Sequence, residues 1–571
     1  MPDKKPNADL LKGIEAIVGR SNTISHTAKM QPYCKGFRFG VGEAAAVVQP
    51  GNLLEIWQVL EICVAADAAV IMQAANTGLT GGSTPNGNDY DRPVVIINTM
   101  RIDQIHVIND AKQIVGLAGS TLFGLEDRLR PYGREPHSVI GSSSIGASIV
   151  GGVCNNSGGA LIHRGPAFTE MALFAQVNAA GELSLVNHLG IELGDTPEDI
   201  LTNLQQENYT PEAVQNPDKR ASDQDYPKLI RDVDADTPAR YNHDDRLLFE
   251  AAGCAGKLAV FAVRLDTYPL ATESKIFYIG CNSSDTLSQM RRDMLQSFEA
   301  LPISGEYLNR DYYDLSKKYG KDTFFVVNKL GSKYIPKLFA LKRKIDRFAD
   351  GLPLLPGKFS ERAMQLLSVF LPNQLPKKME AFRDQYKHHF ILETSDAGAQ
   401  EARQYLDAFF AQNEGGYFAC TKDEGDRAML HRFVTGGAVG RYHALNSKRF
   451  GPMMTLDVAL RRNERDWLKP LPLEIEENLA AKFCSGHLFC HVMHQNYIVK
   501  KGADAKMLKQ KLLEFYDTQG AEYPSEHNVG NEYSAKSVLR GFYKSLDPTN
   551  FFNPGIGKTS KRKNWADQPG R

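Results

Sequence analysis

The sequence predicts a protein of several domains in which helices and strands are mixed, beginning with an α/β region. At 571 residues the chain is too long for one compact core, which favours roughly two to four domains. Hydrophobic residues at 42% and charged residues at 23% are close to the averages of soluble globular proteins. Helical and extended patterns alternate through the first quarter of the chain, as they do in α/β domains.

The elements of the N-terminal region follow from the spacing of apolar residues. After Pro50 and Gly51, residues Leu53, Ile56 and Trp57 begin an apolar series at helical spacing, which predicts a helix. The short apolar run that follows predicts a buried strand. The predicted elements in chain order are this helix, strands at residues 69–72, 94–97 and 114–118, and a second helix at residues 121–129.

Charge and cysteine content exclude several classes of protein. The 67 Lys and Arg residues balance the 67 Asp and Glu residues, so no overall charge favours a nucleic-acid partner. The eight cysteines include no CxxC pair, which predicts reduced thiols and no zinc finger. The first residues contain no apolar stretch, and we expect no signal peptide. No Walker sequence occurs, and the Gly40-Val41-Gly42 stretch precedes a strand, which disfavours a Rossmann site.

Two loops of small residues are the strongest functional signal. Residues 73–89 follow a predicted strand directly and are rich in Gly, Asn and Thr. Small residues let consecutive backbone N–H groups point into one concavity, which suits a pyrophosphate. A second such stretch occupies residues 141–152 and 155–159. One loop alone is equally compatible with an elaborate surface turn, but two in one α/β domain predict a bound dinucleotide.

A basic segment lies in the second half of the chain. Residues 317–387 contain sixteen Lys and Arg residues against six Asp and Glu residues, interleaved with aromatic and aliphatic side chains. Cations beside apolar anchors are typical of a surface that binds anionic phospholipid. The alternative is a solvated basic face over an ordinary core. A nucleic-acid groove is disfavoured because no nucleic-acid binding motif accompanies the charge.

Several segments together carry a resemblance to a known family. They are similar to the FAD-binding domain of the vanillyl-alcohol-oxidase superfamily, and the whole chain resembles the bacterial quinone-dependent, respiratory D-lactate dehydrogenases. The segments are Pro50-Gly51 and residues 74–91, 134–148, 151–159, 164–171 and 547–565.

This resemblance implies an α+β fold with a vanillyl-alcohol-oxidase-type FAD-binding domain of two α/β subdomains. That domain would span residues 1–266 and be completed by residues 518–571. A cap domain that binds substrate would span residues 267–517, with an inserted basic membrane-binding segment at about residues 309–387.

The resemblance also implies which residues hold the cofactor. FAD would be bound non-covalently, because residues 73–90 contain no His or Cys that could form a covalent link. The implied FAD-binding residues are Ala74, Ala75, Asn76, Thr77, Gly78, Gly82, Ser83, Gly141, Ser148, Gly158 and Val260.

A second implied site lies near the C-terminus. Related D-2-hydroxyacid dehydrogenases carry a Gly-His motif, a His seven residues later and a distal Glu-His pair, and this chain has His487, His494, Glu526 and His527 at those positions. The first three would bind a divalent metal such as zinc, and His527 would be the catalytic base. The alternative is that these are hydrogen-bonded histidines without metal.

The local geometry of these histidines is left open by the sequence. His487, His491 and His494 would share one face of a helix, whereas an unbroken strand would place His487 and His494 on opposite faces. For the substrate carboxylate, the resemblance implies Arg432 as the binding residue. Arg441 and Arg461 are reserve candidates.

The implied function is oxidation of D-lactate to pyruvate, with electrons passed to a membrane quinone, by a peripheral protein on the cytoplasmic face of the bacterial inner membrane. One alternative is a dehydrogenase or oxidase of another D-2-hydroxy acid, such as D-2-hydroxyglutarate. Another is a catalytically inactive flavin-carrying module that binds a membrane surface. A nucleic-acid partner is not expected.

Overall fold

A computed structural model describes residues 8–137, 146–270, 273–331, 342, 345 and 359–567, in which helices and strands are mixed. The strands are β1 (Thr23–Ile24), β2 (Ala46–Val48), β3 (Ala69–Gln73), β4 (Val94–Asn98), β5 (Ile105–Ile108), β6 (Gln113–Leu117), β7 (Arg134–Glu135), β8 (Ala172–Val177), β9 (Leu183–Asn187), β10 (Ala259–Asp266), β11 (Tyr268–Pro269), β12 (Ser274–Cys281), β13 (Ser304–Asn309), β14 (His388–Ser395), β15 (Gly416–Ala419), β16 (Phe450–Ala459), β17 (Leu479–His487) and β18 (Val492–Lys500).

The α-helices lie between and around these strands. They are α1 (Ala8–Val18), α2 (Thr27–Met30), α3 (Leu53–Ala65), α4 (Leu122–Leu129), α5 (Ile149–Cys154), α6 (Pro197–Gln205), α7 (Tyr226–Arg231), α8 (Ser284–Ser297), α9 (Arg310–Tyr319), α10 (Lys321–Leu330), α11 (Phe359–Ser368), α12 (Lys377–Gln385), α13 (Asp396–Phe410), α14 (Lys422–Phe433), α15 (Thr435–Leu445), α16 (Leu473–Glu476), α17 (Ala505–Thr518) and α18 (Ser537–Leu546). None of the helices in the described ranges is both long and apolar enough to cross a membrane.

The first sheet has the order β1-β2-β4-β3, with β2, β4 and β3 parallel. Helix α3 begins where expected because the side chain of Asn52 accepts a hydrogen bond from the backbone N–H of Glu55 at 2.8 Å. The apolar positions of the helix, including Ile56 and Trp57, are buried. The predicted helix and the strands at residues 69–72 and 94–97 are therefore confirmed.

The second sheet is antiparallel, with the order β5-β6-β10-β8-β9. Strand β6 and helix α4 confirm the elements expected at residues 114–118 and 121–129, and Thr121 caps the helix by accepting a hydrogen bond from Gly124 N–H at 3.1 Å. Strand β5 was not expected from the sequence. It has only four residues, of which His106 and Ile108 are buried, so its apolar signal is short.

The third large sheet is antiparallel and has the order β15-β12-β14-β13-β17-β18-β16. Strands β17 and β18 form a hairpin that is flanked by β13 and by β16, the strand at the edge of the sheet. Helices α9 and α15 pack on each other beside this sheet. Strands β13, β17, β18 and β16 carry polar side chains that are described below.

Residues near the C-terminus return to the first sheet. The backbone N–H of Val70 in β3 donates to Phe551 O at 3.0 Å, and Asn553 N–H donates to Val70 O at 2.8 Å. The buried Lys257 also donates to Asn550 Oδ1 at 2.6 Å and to Phe552 O at 2.7 Å. These bonds attach residues 550–553 to the N-terminal region. The domain limits at residues 266 and 517 stay predictions.

Candidate active site

The loop after β3 forms a concavity of backbone N–H groups. From Ala74 to Gly78, no backbone N–H donates a hydrogen bond to any residue in the part of the chain that the structure describes. The Cβ of a larger residue at Gly78 would meet open space. The loop is nevertheless fixed, because Asn76 donates to Lys35 O at 2.9 Å and Ser83 Oγ donates to Asn76 Oδ1 at 3.2 Å. This arrangement fits the pyrophosphate of a dinucleotide at the carboxyl end of a parallel strand.

The other expected FAD-binding residues within the described part of the chain lie in several different elements. Ser148 caps α5 by accepting a hydrogen bond from Gly151 N–H at 3.0 Å, and Val260 is buried in β10. Gly82 has Gly530 and Ile556 as neighbours, and Gly158 lies against Arg240. Gly141 lies outside the described residues. The FAD-binding roles of these residues stay predictions.

The two histidines at positions 487 and 494 come together through a β-hairpin. His487 ends β17, residues 488–491 turn, and β18 begins at Val492, which is paired with His487. His494 lies two residues beyond Val492, so both histidines are on one face of the sheet. Their Nε2 atoms are 3.3 Å apart. Neither a helix nor an unbroken strand is present, and the turn directs His491 elsewhere, to Arg461 O at 2.8 Å.

A carboxylate on the neighbouring strand contacts the Nδ1 atom of each histidine. Glu306 of β13 is paired with His487, and its Oε1 atom lies 2.7 Å from His487 Nδ1. Asp457 of β16 is paired with His494, and its Oδ1 atom lies 2.7 Å from His494 Nδ1. A carboxylate on Nδ1 fixes the ring so that Nε2 is available as a ligand. Both imidazoles therefore turn Nε2 towards the same point.

Glu526 approaches that point from a loop outside the sheet. Its Oε1 atom is 3.0 Å from His487 Nε2, and its Oε2 atom is 3.7 Å from His494 Nε2. The potential ligand atoms of the three side chains all lie within 4.8 Å of one another. Two imidazoles and one carboxylate are a donor set that suits zinc and leaves positions open for substrate. The structure thus brings together all three of the metal ligands expected from the sequence.

The electrostatics of this cluster are dominated by buried carboxylates. Although burial opposes ionisation, His487 and Arg432 lower the pKa of Glu306 to about 2. Burial disfavours the charged form of His487, but Glu306 and Glu526 raise its pKa to about 10. The pKa of Glu526 likewise lies well below its ordinary value despite burial, because His487 and His494 are close. The ionised side chains of Glu306 and Glu526 therefore favour a positive charge between them, such as that of a protonated His487.

Arg432 lies beside this cluster at the end of α14. Its Nε atom is 2.9 Å from Glu306 Oε2, so one carboxylate contacts both His487 and Arg432. The Nη2 atom of Arg432 is buried and has no hydrogen-bond partner among the described residues. The reserve candidates are placed differently: Arg441 pairs with Asp322 and Glu361, and Arg461 packs on Gly520.

His527, the expected catalytic base, lies beside the same cluster. Its Nε2 atom lies 3.6 Å from Asp457 Oδ2, so Asp457 faces both His527 and His494. Burial lowers the pKa of His527 below its ordinary value, against the opposing charge of Asp457. A neutral imidazole can accept a proton.

The residues after His527 form direct hydrogen bonds with the loop after β3. This loop, residues 73–89, is the predicted dinucleotide loop. Thr80 Oγ1 donates to Asn528 O at 2.9 Å, and Asn531 Nδ2 donates to Gly81 O at 2.7 Å. Gly530 has a φ of +56° and lies so close to Thr80 that a side chain there would overlap it. The segment that carries Glu526 and His527 is therefore hydrogen-bonded to the loop that contains the predicted pyrophosphate site.

Sequence reasoning missed Glu306, Asp457 and Arg240. None of them belongs to a local motif, because each contacts the site from a segment far along the chain. Alternation within β13 and β16 would have placed Glu306 and Asp457 on a sheet face, but only the strand order shows that this face carries the histidines.

Comparisons with known proteins give the family. Residues 276–565 match the family model described as "D-lactate dehydrogenase, membrane binding", and residues 44–183 match the one described as "FAD binding domain". Among solved structures, p-cresol methylhydroxylase with bound substrate is 12% identical, with a TM-score of 0.58 over 97% of this chain and 96% of that chain. The 4-ethylphenol oxidase of Gulosibacter chungangensis is 11% identical, with a TM-score of 0.58 over 98% of each chain. The likeness to these structures confirms the expected α+β fold, and the family-model match at residues 44–183 confirms an FAD-binding domain.

Full-length relatives are much more similar. The quinone-dependent D-lactate dehydrogenase of Haemophilus influenzae is 54% identical over 98% of this chain and 99% of its own length. That of Escherichia coli is 52% identical over 98% of both chains, and that of Corynebacterium glutamicum is 44% identical over 98% of both. At this identity and coverage, the chain belongs to the family of the quinone-dependent D-lactate dehydrogenases.

Proposed function

We propose that the protein oxidises D-lactate to pyruvate with FAD and passes the electrons to a membrane quinone. The observation that carries this proposal is the direct attachment of the dinucleotide loop to the segment that follows Glu526 and His527. The names of the full-length relatives support D-lactate as donor and quinone as acceptor. Bound FAD supplies the acceptor for the hydride that leaves the substrate carbon.

The substrate carboxylate is assigned to Arg432. The free Nη2 atom of this residue offers a donor that no described residue uses, and Glu306 keeps the guanidinium in place through Nε. Carboxylates are bound well by such a fixed guanidinium. Arg432 would therefore orient the acid so that its hydroxyl group lies towards the histidines.

His487, His494 and Glu526 are assigned as ligands of a divalent cation such as zinc. Such a cation would polarise the substrate hydroxyl group and lower its pKa. Glu306 and Asp457 keep the two rings oriented for this role. The support for the metal is the convergence of these three side chains, together with the carboxylates that occupy the Nδ1 atoms of both histidines.

His527 is assigned as the base that removes the hydroxyl proton. The proton of the hydroxyl group passes to a nitrogen of His527 while the α-hydrogen leaves with its electron pair as hydride, so the carbinol becomes a carbonyl group. Asp457 lies 3.6 Å from His527 Nε2 and stabilises the imidazolium that results.

Steady-state kinetics with a panel of donors and acceptors test the proposal. D-Lactate with a soluble quinone analogue is expected to give the highest kcat/KM, with D-2-hydroxyglutarate and L-lactate far below it and molecular oxygen a poor acceptor. A higher kcat/KM for D-2-hydroxyglutarate would assign the protein to another D-2-hydroxy acid, and rapid turnover with oxygen would make it an oxidase.

Replacing Arg432 by methionine is expected to raise the KM for D-lactate about 10–100-fold, the effect of losing a charge-assisted hydrogen bond of about 1.5–3 kcal/mol. The change in kcat should be much smaller. The matched control is Arg461→Met, because the structure places that guanidinium against Gly520. An equal KM for both variants would show that Arg432 does not bind the carboxylate.

The membrane contact is assigned to the basic segment at about residues 309–387 and, within it, to the end of α11. Apolar side chains there are unusually exposed: Leu366 is 68%, Leu367 65%, Val369 69% and Phe370 82% exposed. Contiguous exposed apolar side chains indicate an interaction surface. The basic residues that accompany them favour anionic phospholipid as on the cytoplasmic face of a bacterial inner membrane. Residues 332–341, 343–344 and 346–358 of the segment lie outside the described residues.

Ion pairs and a hydrogen bond hold helix α11 against neighbouring parts of the protein. Glu361 pairs with Lys342 and with Arg441 of α15, and Gln365 donates to Lys318 O at 3.1 Å. These contacts hold the helix while its end projects outwards. The exposed side chains are thus presented on a fixed support.

The double substitution Leu366→Glu with Phe370→Glu is expected to weaken binding to anionic liposomes at least tenfold, since burying each apolar side chain contributes about 1.5–3 kcal/mol. Cosedimentation at increasing salt is the measurement, with vesicles that contain or lack anionic lipid. Leu473→Glu is the control, because Leu473 is 75% exposed but lies outside the basic segment. Equal binding of both variants would place the membrane contact elsewhere, and binding indifferent to lipid charge would remove the role of the lysines.

A further inference from the structure

Arg240 is a buried arginine that contacts Glu526. Its side chain is 1% exposed. The Nη2 atom donates to Glu526 Oε1 at 2.8 Å, and the Nη1 atom donates to Gly159 O at 2.9 Å. One guanidinium therefore joins the glutamate of the histidine cluster to the small-residue segment at residues 155–159.

The backbone around Arg240 is fixed to the same two partners. Asn242 donates to Pro524 O at 2.8 Å, which holds the segment of Arg240 beside the segment of Glu526. The backbone N–H of Gly158 donates to Glu526 O at 3.2 Å. The geometry of Arg240 is thus set by neighbours on both sides and not by Glu526 alone.

Gly158 leaves the space that Arg240 occupies. A Cβ atom at position 158 would overlap Nη1 and lie 2.9 Å from Cζ of Arg240. Gly158 is not in the left-handed backbone region, so alanine is compatible with its backbone conformation. The absence of a side chain at Gly158 is therefore explained by the guanidinium.

Arg240 also distinguishes the two oxygens of Glu526. Oε1 is engaged by Arg240 and lies 3.0 Å from His487 Nε2. Oε2 is the oxygen nearer to His494, at 3.7 Å. A planar guanidinium that is fixed at both terminal nitrogens can hold a carboxylate in one orientation, which an ammonium group cannot.

We propose that Arg240 is a positioning residue that orients Glu526 so that Oε2 binds the divalent cation, with Gly158 providing the room for it. This inference rests on the metal site of the proposed function and adds to it a link between the metal ligand and the segment around Gly158. Arg240 itself contacts neither metal nor substrate.

The test measures the affinity of the flavin-loaded protein for Zn²⁺, by competition with a chromophoric chelator after metal removal. Arg240→Lys retains the positive charge but lacks the planar guanidinium with its two terminal nitrogens. This variant is expected to weaken Zn²⁺ binding about 10–100-fold. Gly158→Ala displaces the guanidinium without changing any ligand and is expected to weaken it similarly. The matched control is Gly152→Ala, where the new Cβ would lie at an ordinary 3.8 Å from Ala167.

The double variant separates this role from a general effect on the fold or on flavin binding. If Gly158 acts through Arg240, the double variant will bind Zn²⁺, measured per bound flavin, no more weakly than the weaker-binding single variant. Wild-type affinity in Arg240→Lys would overturn the inference, because charge alone would then suffice. Additive losses would overturn the link through Gly158. A wild-type protein that binds no Zn²⁺ would overturn the metal site as well.

Discussion

His527→Gln is expected to lower kcat for D-lactate about 10²–10⁴-fold, the usual contribution of a positioned general base. Glutamine keeps a polar side chain of similar reach but cannot accept the hydroxyl proton. Flavin content and Zn²⁺ affinity should be unchanged, because His527 is 3.6 Å from Asp457 and is not one of the three converging ligands.

The control for this variant is His188→Gln. His188 lies 2.8 Å from Glu250, and among the described residues it contacts none of His487, His494, Glu526 and His527. Stopped-flow measurement of flavin reduction isolates the chemical step from quinone turnover. A reduction rate within tenfold of the wild type would exclude His527 as the base and direct attention to the histidines of the hairpin.

His487→Ala is expected to remove measurable Zn²⁺ binding and to lower kcat/KM by a factor of about 10³, corresponding to the several kcal/mol that a Lewis acid supplies. The variant removes one of three ligands and also leaves Glu306 without its imidazole partner. Glu306 would then face Arg432 alone, so a rise in KM is expected in addition.

A matched control for His487→Ala is His388→Ala. His388 belongs to β14 of the same sheet but faces the opposite side, where Nδ1 lies 2.9 Å from Tyr307 Oη. Metal content measured on the purified protein, together with kcat/KM before and after chelation, gives the result. Unchanged kcat/KM in His487→Ala would favour hydrogen-bonded histidines without a catalytic metal.

The N-terminal region was readily predicted because its signals are local. Helix α3 has a capping residue and an apolar period, and the small residues of the loop after β3 leave five N–H groups without a partner among the described residues. Such features depend on neighbours within a few positions. Strand β5 was not predicted because a strand of four residues gives too short an apolar pattern.

The C-terminal site could be predicted only in part. The spacing of His487 and His494 suggested a shared site, but their common face depends on a turn at residues 488–491 that interrupts the strand. Glu306 lies 181 residues before His487 in the chain, and Arg240 lies 286 residues before Glu526. Their roles arise from the order of strands in the sheet and the packing of two regions, which no local pattern encodes.

A flavin-carrying module without activity is the alternative of a different kind. It would retain the dinucleotide loop and the exposed end of α11 but would have no use for the aligned series Glu306, His487, His494 and Asp457. Buried carboxylates that orient imidazoles are costly unless a cation or substrate uses them. The arrangement therefore favours catalysis.

We expect the site to transfer a hydride from D-lactate to flavin. The most direct test of this expectation is the visible absorbance of the purified, flavin-loaded protein under anaerobic conditions, before and after D-lactate is added. We expect D-lactate to bleach the oxidised flavin spectrum and L-lactate to leave it intact, with a quinone analogue restoring the colour. A flavin that stays oxidised in D-lactate, or a purified protein without flavin, would contradict the account.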